Sequence, residues 1–237
     1  MYTGKITVVA PGASNSPVFL NCTLTVTAVS GGVSKIIKVS GDGQLTMLGN
    51  GFTVPMVVKV VDAAGAPIAG KPVTWTQQGG VNFSGSNGNT VTDSNGLAQV
   101  VAVPGGFFNP GTPFLVYSIT ATTDIGAAVF NMTSYPVTGA TNYNPPPMIT
   151  LVKPAQGSFT ISAQLGSTTV DTVRVQVLSG GGNATNPTPI PGVALNVSTS
   201  NTDPAAGVVA RCAGGTPLSD VNGFASCDLI VEGRVGN

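Results

Sequence analysis

The chain has 237 residues and no histidine. A Ser-His-Asp or Cys-His nucleophile system therefore lacks its base, and most zinc and haem sites lose their usual ligand. The acids are Asp42, Asp62, Asp93, Asp124, Asp171, Asp203, Asp220, Asp228 and Glu232. Most stand in turn-type sequence, where an aspartate accepts hydrogen bonds from the backbone just after it. No two have a spacing that suggests paired carboxylates for glycoside hydrolysis. A calcium loop needs several oxygens from one short stretch. Asp93 with Asn95, and Asp220 with Asn222, supply two each, so turn chemistry is expected there. The expectation is a non-enzymatic chain with no metal and no cofactor.

Cys212 and Cys227 flank the stretch Asp220–Gly223. Cys227 alternates with Ala225, Leu229 and Val231, and Cys212 with Val208 and Ala210, so both fall on inward-facing positions. Two readings stay open. In an oxidising compartment they form a disulfide, stabilising by roughly 3 kcal/mol for a loop this long; otherwise they are buried free thiols. Cys22 shares the alternation of Leu20, Leu24 and Val26. As the third cysteine it is either buried and free or bridged to another molecule. Trp75, Tyr117 and Phe83 could form a sugar-binding platform, but Trp75 and Tyr117 sit at inward strand positions, where core packing is expected. Phe107, Phe108 and Phe114 lie in a Pro/Gly-rich stretch, 104–114. That stretch is the candidate contact loop for a neighbouring domain or a ligand.

What positions these residues is a succession of short strands. Val58, Val60 and Ala64 alternate with Lys59, Val61 and Gly65, the period-two pattern of a half-buried strand. Turn formers follow at 62–67, because Pro presets φ and Gly takes positive φ. Residues 72–76 make the next strand, with Val73 and Trp75 pointing the same way. Asp93–Gly96 is a tight turn built on Asn-Gly, and 97–103 leave it as a strand. Tyr117, Ile119 and Ala121 form one face of a further strand, and 129–132 suggest a last one. The predicted core is Val58, Val60, Val73, Trp75, Tyr117 and Ile119, together with Leu195 and Val197 further along the chain.

The units VKVVDAAGAPIAGKPVTWT (58–76) and TDSNGLAQV (92–100) carry a resemblance, with VSGDGQ (39–44) and YSITAT (117–122). Together they resemble a bacterial Ig-like domain of the type repeated in intimin and invasin. The resemblance spans nearly all of 39–135. It implies an extracellular β-sandwich used as spacer, stalk or adhesive module, with no catalytic residues.

The flanks read as further copies. KITVVAPG (5–12) matches AQVVAVPG (98–105) and LTVTA (24–28) matches YSITA (117–121), both at an offset of 93 positions. VRVQV (173–177) corresponds to the strand at 56–61. PIPGVALNV (189–197) repeats 67–75, which puts Leu195 at the place of Val73 and Val197 at that of Trp75. DVNGFA (220–225) repeats 93–98, and the insertion 180–187 lengthens the first turn. The fold class expected is all-β: tandem Ig-like β-sandwich domains, one complete copy flanked by two partial copies. Residues 1–39 are the C-terminal half of one domain, 40–135 a complete domain, 136–147 a Pro-rich semi-rigid linker, and 148–237 the N-terminal part of a further domain.

Charged residues make up 8% of the chain, against roughly 25% in an average soluble protein. Nine basic and nine acidic residues cancel. No basic patch emerges for nucleic acid, and no apolar run of about 20 residues for membrane insertion. The Thr, Ser, Asn and Gly-rich chemistry suits an extracellular or cell-surface location. Two organisations are open for the partial end domains: a segment of a longer tandem array, or copies that complete one another by sharing β-strands. The function expected is a structural module of a bacterial surface protein or appendage, partnered by itself or by neighbouring Ig-like domains, with head-to-tail assembly into a filament as the form that strand sharing would take. The alternative is an adhesin or carbohydrate-binding accessory module of a large secreted protein.

Overall fold

The computed structural model describes residues 2–8, 16, 18–24, 34–109, 112–136, 146–155, 164–180, 187–197 and 209–232. Every regular element among them is a β-strand. The chain is all-β and built from Ig-like sandwich units.

The central unit has two facing sheets. One sheet runs β3 (Lys35–Ser40), β5 (Met56–Val61), β9 (Leu97–Pro104), β7 (Val81–Ser84). The other runs β4 (Leu45–Met47), β11 (Gly126–Tyr135), β10 (Leu115–Thr123), β6 (Pro72–Gln78), β8 (Asn89–Val91). Alternation makes each sheet one-sided. Met56, Val58 and Val60 from the first sheet meet Val73, Trp75, Tyr117, Ile119 and Phe130 from the second, all buried. Two buried polar groups are paired within this core. Trp75 Nε1–H donates to Thr90 Oγ1 at 2.8 Å. The Tyr117 hydroxyl shares a hydrogen bond with Ser134 Oγ at 2.7 Å and donates to Gly105 O at 3.0 Å. Burial pushes the Tyr117 hydroxyl pKa up, and the Ser134 contact pulls it partly back.

Three details depart from the sequence reading. β3 pairs with β5 from Lys35↔Val61 onward, so the central sandwich takes in residues upstream of position 40. Ala64 lies exposed in a turn rather than on the strand face, because β5 ends at Val61. Val61 is buried instead of outward, because Pro67 bridges back over it.

The C-terminal unit has one four-stranded sheet: β12 (Met148–Lys153), β13 (Thr168–Leu178), β15 (Phe224–Glu232), β14 (Val209–Cys212). Its order and register reproduce the first central sheet. Val173↔Cys227 and Val175↔Ala225 repeat Met56↔Val100 and Val58↔Ala98. The irregularity between Leu151 and Lys153 falls where β3 has one between Lys38 and Ser40.

β1 (Tyr2–Val8) and β2 (Val18–Leu24) form an antiparallel hairpin. The central strands they match in sequence, β9 and β10, belong to opposite sheets, whereas β1 and β2 pair with each other. Most of the linker (137–145) and of the insertion (181–186) lies outside the described residues.

Candidate functional site

A buried hydroxyl clasp organises both sandwich units. In T-D-S-N-G (92–96), Asp93 Oδ1 accepts from the N–H of Asn95 and Leu97 at 2.8 and 2.9 Å. In S-D-V-N-G (219–223), Asp220 Oδ1 accepts from Asn222 and Phe224 at the same distances. The residue before each aspartate then spans the first turn of its unit. Thr92 Oγ1 accepts from Lys71 N–H at 2.8 Å and donates to Ile68 O at 2.7 Å. Ser219 Oγ accepts from Val193 N–H at 2.9 Å and donates to Ile190 O at 2.8 Å. Both hydroxyls are buried. A Cβ on Gly96 or Gly223 would lie 2.6 or 2.4 Å from the carbonyl of Val60 or Val177, so only glycine fits. Reading the sequence missed these hydroxyls; the signal was a Ser or Thr directly before each D-x-N-G. The same turns use up Asp93 and Asp220 as backbone caps. Among the described residues no group of three His, Cys, Asp or Glu is placed to hold a metal ion.

Cys212 on β14 and Cys227 on β15 are joined, with Cα atoms 5.1 Å apart. By register Cys212 takes the place of Phe83 and Cys227 that of Val100. Val173, Leu195, Val197, Ala210 and Val231 pack around them and are only half-buried. Leu195 and Val197 thus line a looser core than their counterparts Val73 and Trp75, which are buried. Exposed ion pairs flank this sheet. Arg211 holds Glu232 through both carboxylate oxygens, at 3.0 and 2.6 Å, and lowers its pKa. Lys153 hydrogen-bonds Asp171 and holds that carboxyl below its ordinary range.

The central and C-terminal units meet at a tight joint. Ala194 N–H donates to Gly43 O at 2.8 Å. Gly43 has φ +70°, and a Cβ there would lie 2.5 Å from Leu218 Cδ2 and 2.6 Å from Ala194 Cβ. Leu45 and Phe114 of the central unit pack against Val177, Ile190 and Val193 of the C-terminal unit. Beside the joint runs a groove of about 870 Å³, lined among others by Lys38, Asp42, Gln44, Ile149, Asn196 and Thr216. Its charged and amide groups from the central unit are already engaged. Asp42 pairs with Lys38 and accepts from Asn131 N–H at 2.8 Å, while Gln44 clasps the backbone of Val54. The groove is therefore a seam between units rather than a set of converging free donors and acceptors.

The aromatic loop splits three ways. Phe107 is 93% exposed, Phe108 is half-buried, and Phe114 belongs to the joint. No aromatic row forms. Cys22 sits on β2 opposite Gly4; its side chain lies outside the described features.

No family model matches this chain, and no curated protein does. Solved structures do. The D0-D1 domain of Intimin is 15% identical, with 83% of each chain covered and a TM-score of 0.32. The D00-D0 domain of Intimin is 19% identical with a TM-score of 0.28; 51% of this chain and 56% of that one are covered. The E. coli chaperone DraB is 11% identical, covering 86% and 89%, with a TM-score of 0.32. At these values the likeness assigns neither family nor partner. No described helix is long and apolar enough to cross a membrane.

Proposed function

We propose that this chain is a non-enzymatic, extracellular or cell-surface structural module whose Ig-like units are joined in series and whose copies associate head to tail by sharing β-strands. On this reading residues 148–237 are a partial sandwich unit that a further element completes, and the hairpin region serves as such an element. One observation carries the reading. The C-terminal sheet keeps the strand order, register and clasp of the central one, yet its inner face stays half-covered at Val173, Leu195, Val197 and Val231. A half-covered apolar face is an association surface. The low charge adds little repulsion between copies. The tight joint at Gly43 makes the series stiff, which suits spacing and presentation. Phe107, Phe108 and Phe114 differ in exposure and do not share one surface, so these three rings lend the sugar-binding alternative no support.

Light scattering with negative-stain microscopy tests this. The expected result is a mass that rises with concentration and linear particles one domain wide. A monodisperse monomer at every concentration sinks the head-to-tail association.

A further inference from the structure

The chain has Asn-Gly pairs at 50–51, 87–88, 95–96 and 222–223. Such a pair rearranges without an enzyme when its geometry allows. The glycine nitrogen closes on the asparagine side-chain carbon Cγ, a C–N bond forms, and the amide nitrogen leaves as ammonia. Water then opens the five-membered imide at either carbonyl, giving aspartate or isoaspartate. Glycine favours the closure because it sets no Cβ beside the attacking nitrogen. That nitrogen must still be free to swing toward Cγ, and the four pairs differ in this freedom.

The two clasps withhold it. Gly96 N–H donates to Asp93 O at 3.0 Å, and Gly223 N–H to Asp220 O at 2.9 Å. Each aspartate Oδ1 also holds the N–H of the asparagine and of the residue after the glycine. Both glycines are buried. The pair at 87–88 is locked in another way. Asn87 is left-handed, with φ +45°. Asn89 N–H closes the turn onto Ser86 O at 2.9 Å, and Gly88 O accepts from Trp75 N–H at 2.6 Å. Gly88 packs so closely there that a Cβ would lie 2.6 Å from Trp75 O.

Asn50 escapes these restraints. It is exposed, between Gly49 and Gly51, in the turn that follows β4. Gly51 N–H makes no hydrogen bond among the described residues. A Cβ on Gly49 would meet nothing within 4 Å, and one on Gly51 nothing nearer than 3.7 Å. The chain is anchored just before and just after, by Asn50 N–H to Met47 O and Phe52 N–H to Ala102 O, both at 3.0 Å.

We propose that Asn50 is a self-modification site, converted to aspartate and isoaspartate with water as the co-reactant, and that Asn87, Asn95 and Asn222 keep their amides. The product adds a tenth acid to a chain whose nine acidic and nine basic residues balance, and it is ionised at neutral pH. The isoaspartyl form also inserts a backbone carbon between Leu48, bound to Tyr135 O, and Phe52, buried against the Tyr117 ring.

The full chain is incubated in mildly alkaline buffer, native and in denaturant, and mapped by peptide mass spectrometry with isoelectric focusing in parallel. In denaturant all four asparagines should convert at similar rates. In the native chain Asn50 should convert at least ~10-fold faster than Asn95 or Asn222, because each hydrogen bond that must open first slows closure by about five-fold. A new acidic band should grow in step with it. Gly51→Ala has room for its Cβ, so it should leave the Trp75 unfolding transition in place while stopping isoaspartate at Asn50. Asp93→Ala should raise the rate at Asn95 and leave Asn50 unchanged. Native Asn50 that keeps its amide while the denatured chain converts overturns the site. Equal native rates at all four pairs overturn the protection by clasp and turn. Conversion at Asn50 to aspartate alone, undiminished in Gly51→Ala, overturns ring closure by the Gly51 nitrogen.

Discussion

The central and C-terminal units share a half and differ in the other. Both have a four-stranded sheet with the same order, register and strand irregularity, and both lock their first turn with a hydroxyl placed before D-x-N-G. In the central unit the second sheet seals the core around Tyr117, Ile119 and Phe130. Among the described residues of the C-terminal unit no second sheet faces the first; a disulfide lies among its half-buried apolar side chains and ion pairs lie on its surface. Cys212 replaces Phe83, and Arg211 and Lys153 hold Glu232 and Asp171. The comparison teaches that turn chemistry and strand pairing specify one sheet, whereas full burial requires the opposite sheet. A cross-link substitutes for burial by limiting the unfolded chain rather than by adding contacts.

The difference can be broken from the packed side first. Phe130→Ala should cost the central unit about 4 kcal/mol, since Phe130 is fully buried and packs on Trp75. Denaturant unfolding followed by fluorescence of Trp75, the single tryptophan, reads this unit alone. A loss under ~1 kcal/mol means the core there is not jigsaw-packed. Reduction of Cys212–Cys227 should cost the C-terminal unit roughly 3 kcal/mol. Hydrogen exchange at β13 and β15 should speed up while the Trp75 transition stays in place. The clasps sharpen the comparison by acting alike in both units. Thr92→Val and Ser219→Ala should each cost about 2 kcal/mol, because each strands a backbone donor and acceptor. Thr92→Val should shift the Trp75 transition, and Ser219→Ala only the exchange at β13 and β15. Gly43→Ala should loosen the joint at a cost of about 1 kcal/mol or more, through its positive φ and the close approach of Ala194 and Leu218. The readout is a larger spread of inter-unit distances in small-angle scattering, with both units still folded.

The smallest effect is acid sensitivity of the C-terminal unit. Asp171 is held below its usual pKa chiefly by the hydrogen bond from Lys153, and Glu232 by that from Arg211. A lowered folded-state pKa contributes stability above the unfolded-state value and loses it as pH falls through the folded one. Exchange at β14 and β15 should therefore rise slightly as pH drops below about 4, the ordinary carboxylate range. Both carboxylates are exposed, so salt should weaken the effect further.

Much of this was legible in the sequence. Period two at 56–61 and 72–76, and the Asn-Gly turns at 95–96 and 222–223, mark the strands and reversals on which the register depends. The offset between 189–197 and 67–75 places Leu195 and Val197 on the right face. Their degree of burial was not legible, because it depends on which strands cover them. Nor was the joint. Gly43 reads as one more turn glycine in VSGDGQ, and only the approach of Ala194 across 151 positions of chain gives it a reason. Phe114 reads as part of one aromatic loop with Phe107, yet a few residues separate a solvent-facing ring from one wedged between units. The pairing of β1 with β2 was likewise hidden, since sequence similarity to β9 and β10 says nothing about which sheet a strand joins.

The bond between Cys212 and Cys227 has a mechanical consequence. A chain held at both ends under load is pulled along its length, and a sandwich unit then yields by paying out residues. The 15-residue separation closed by this bond cannot be paid out, which withholds ~50 Å of extension at ~3.4 Å per residue. The central unit has no such stop, so under tension it can lengthen fully while the C-terminal unit keeps part of its length in reserve until a reductant releases it.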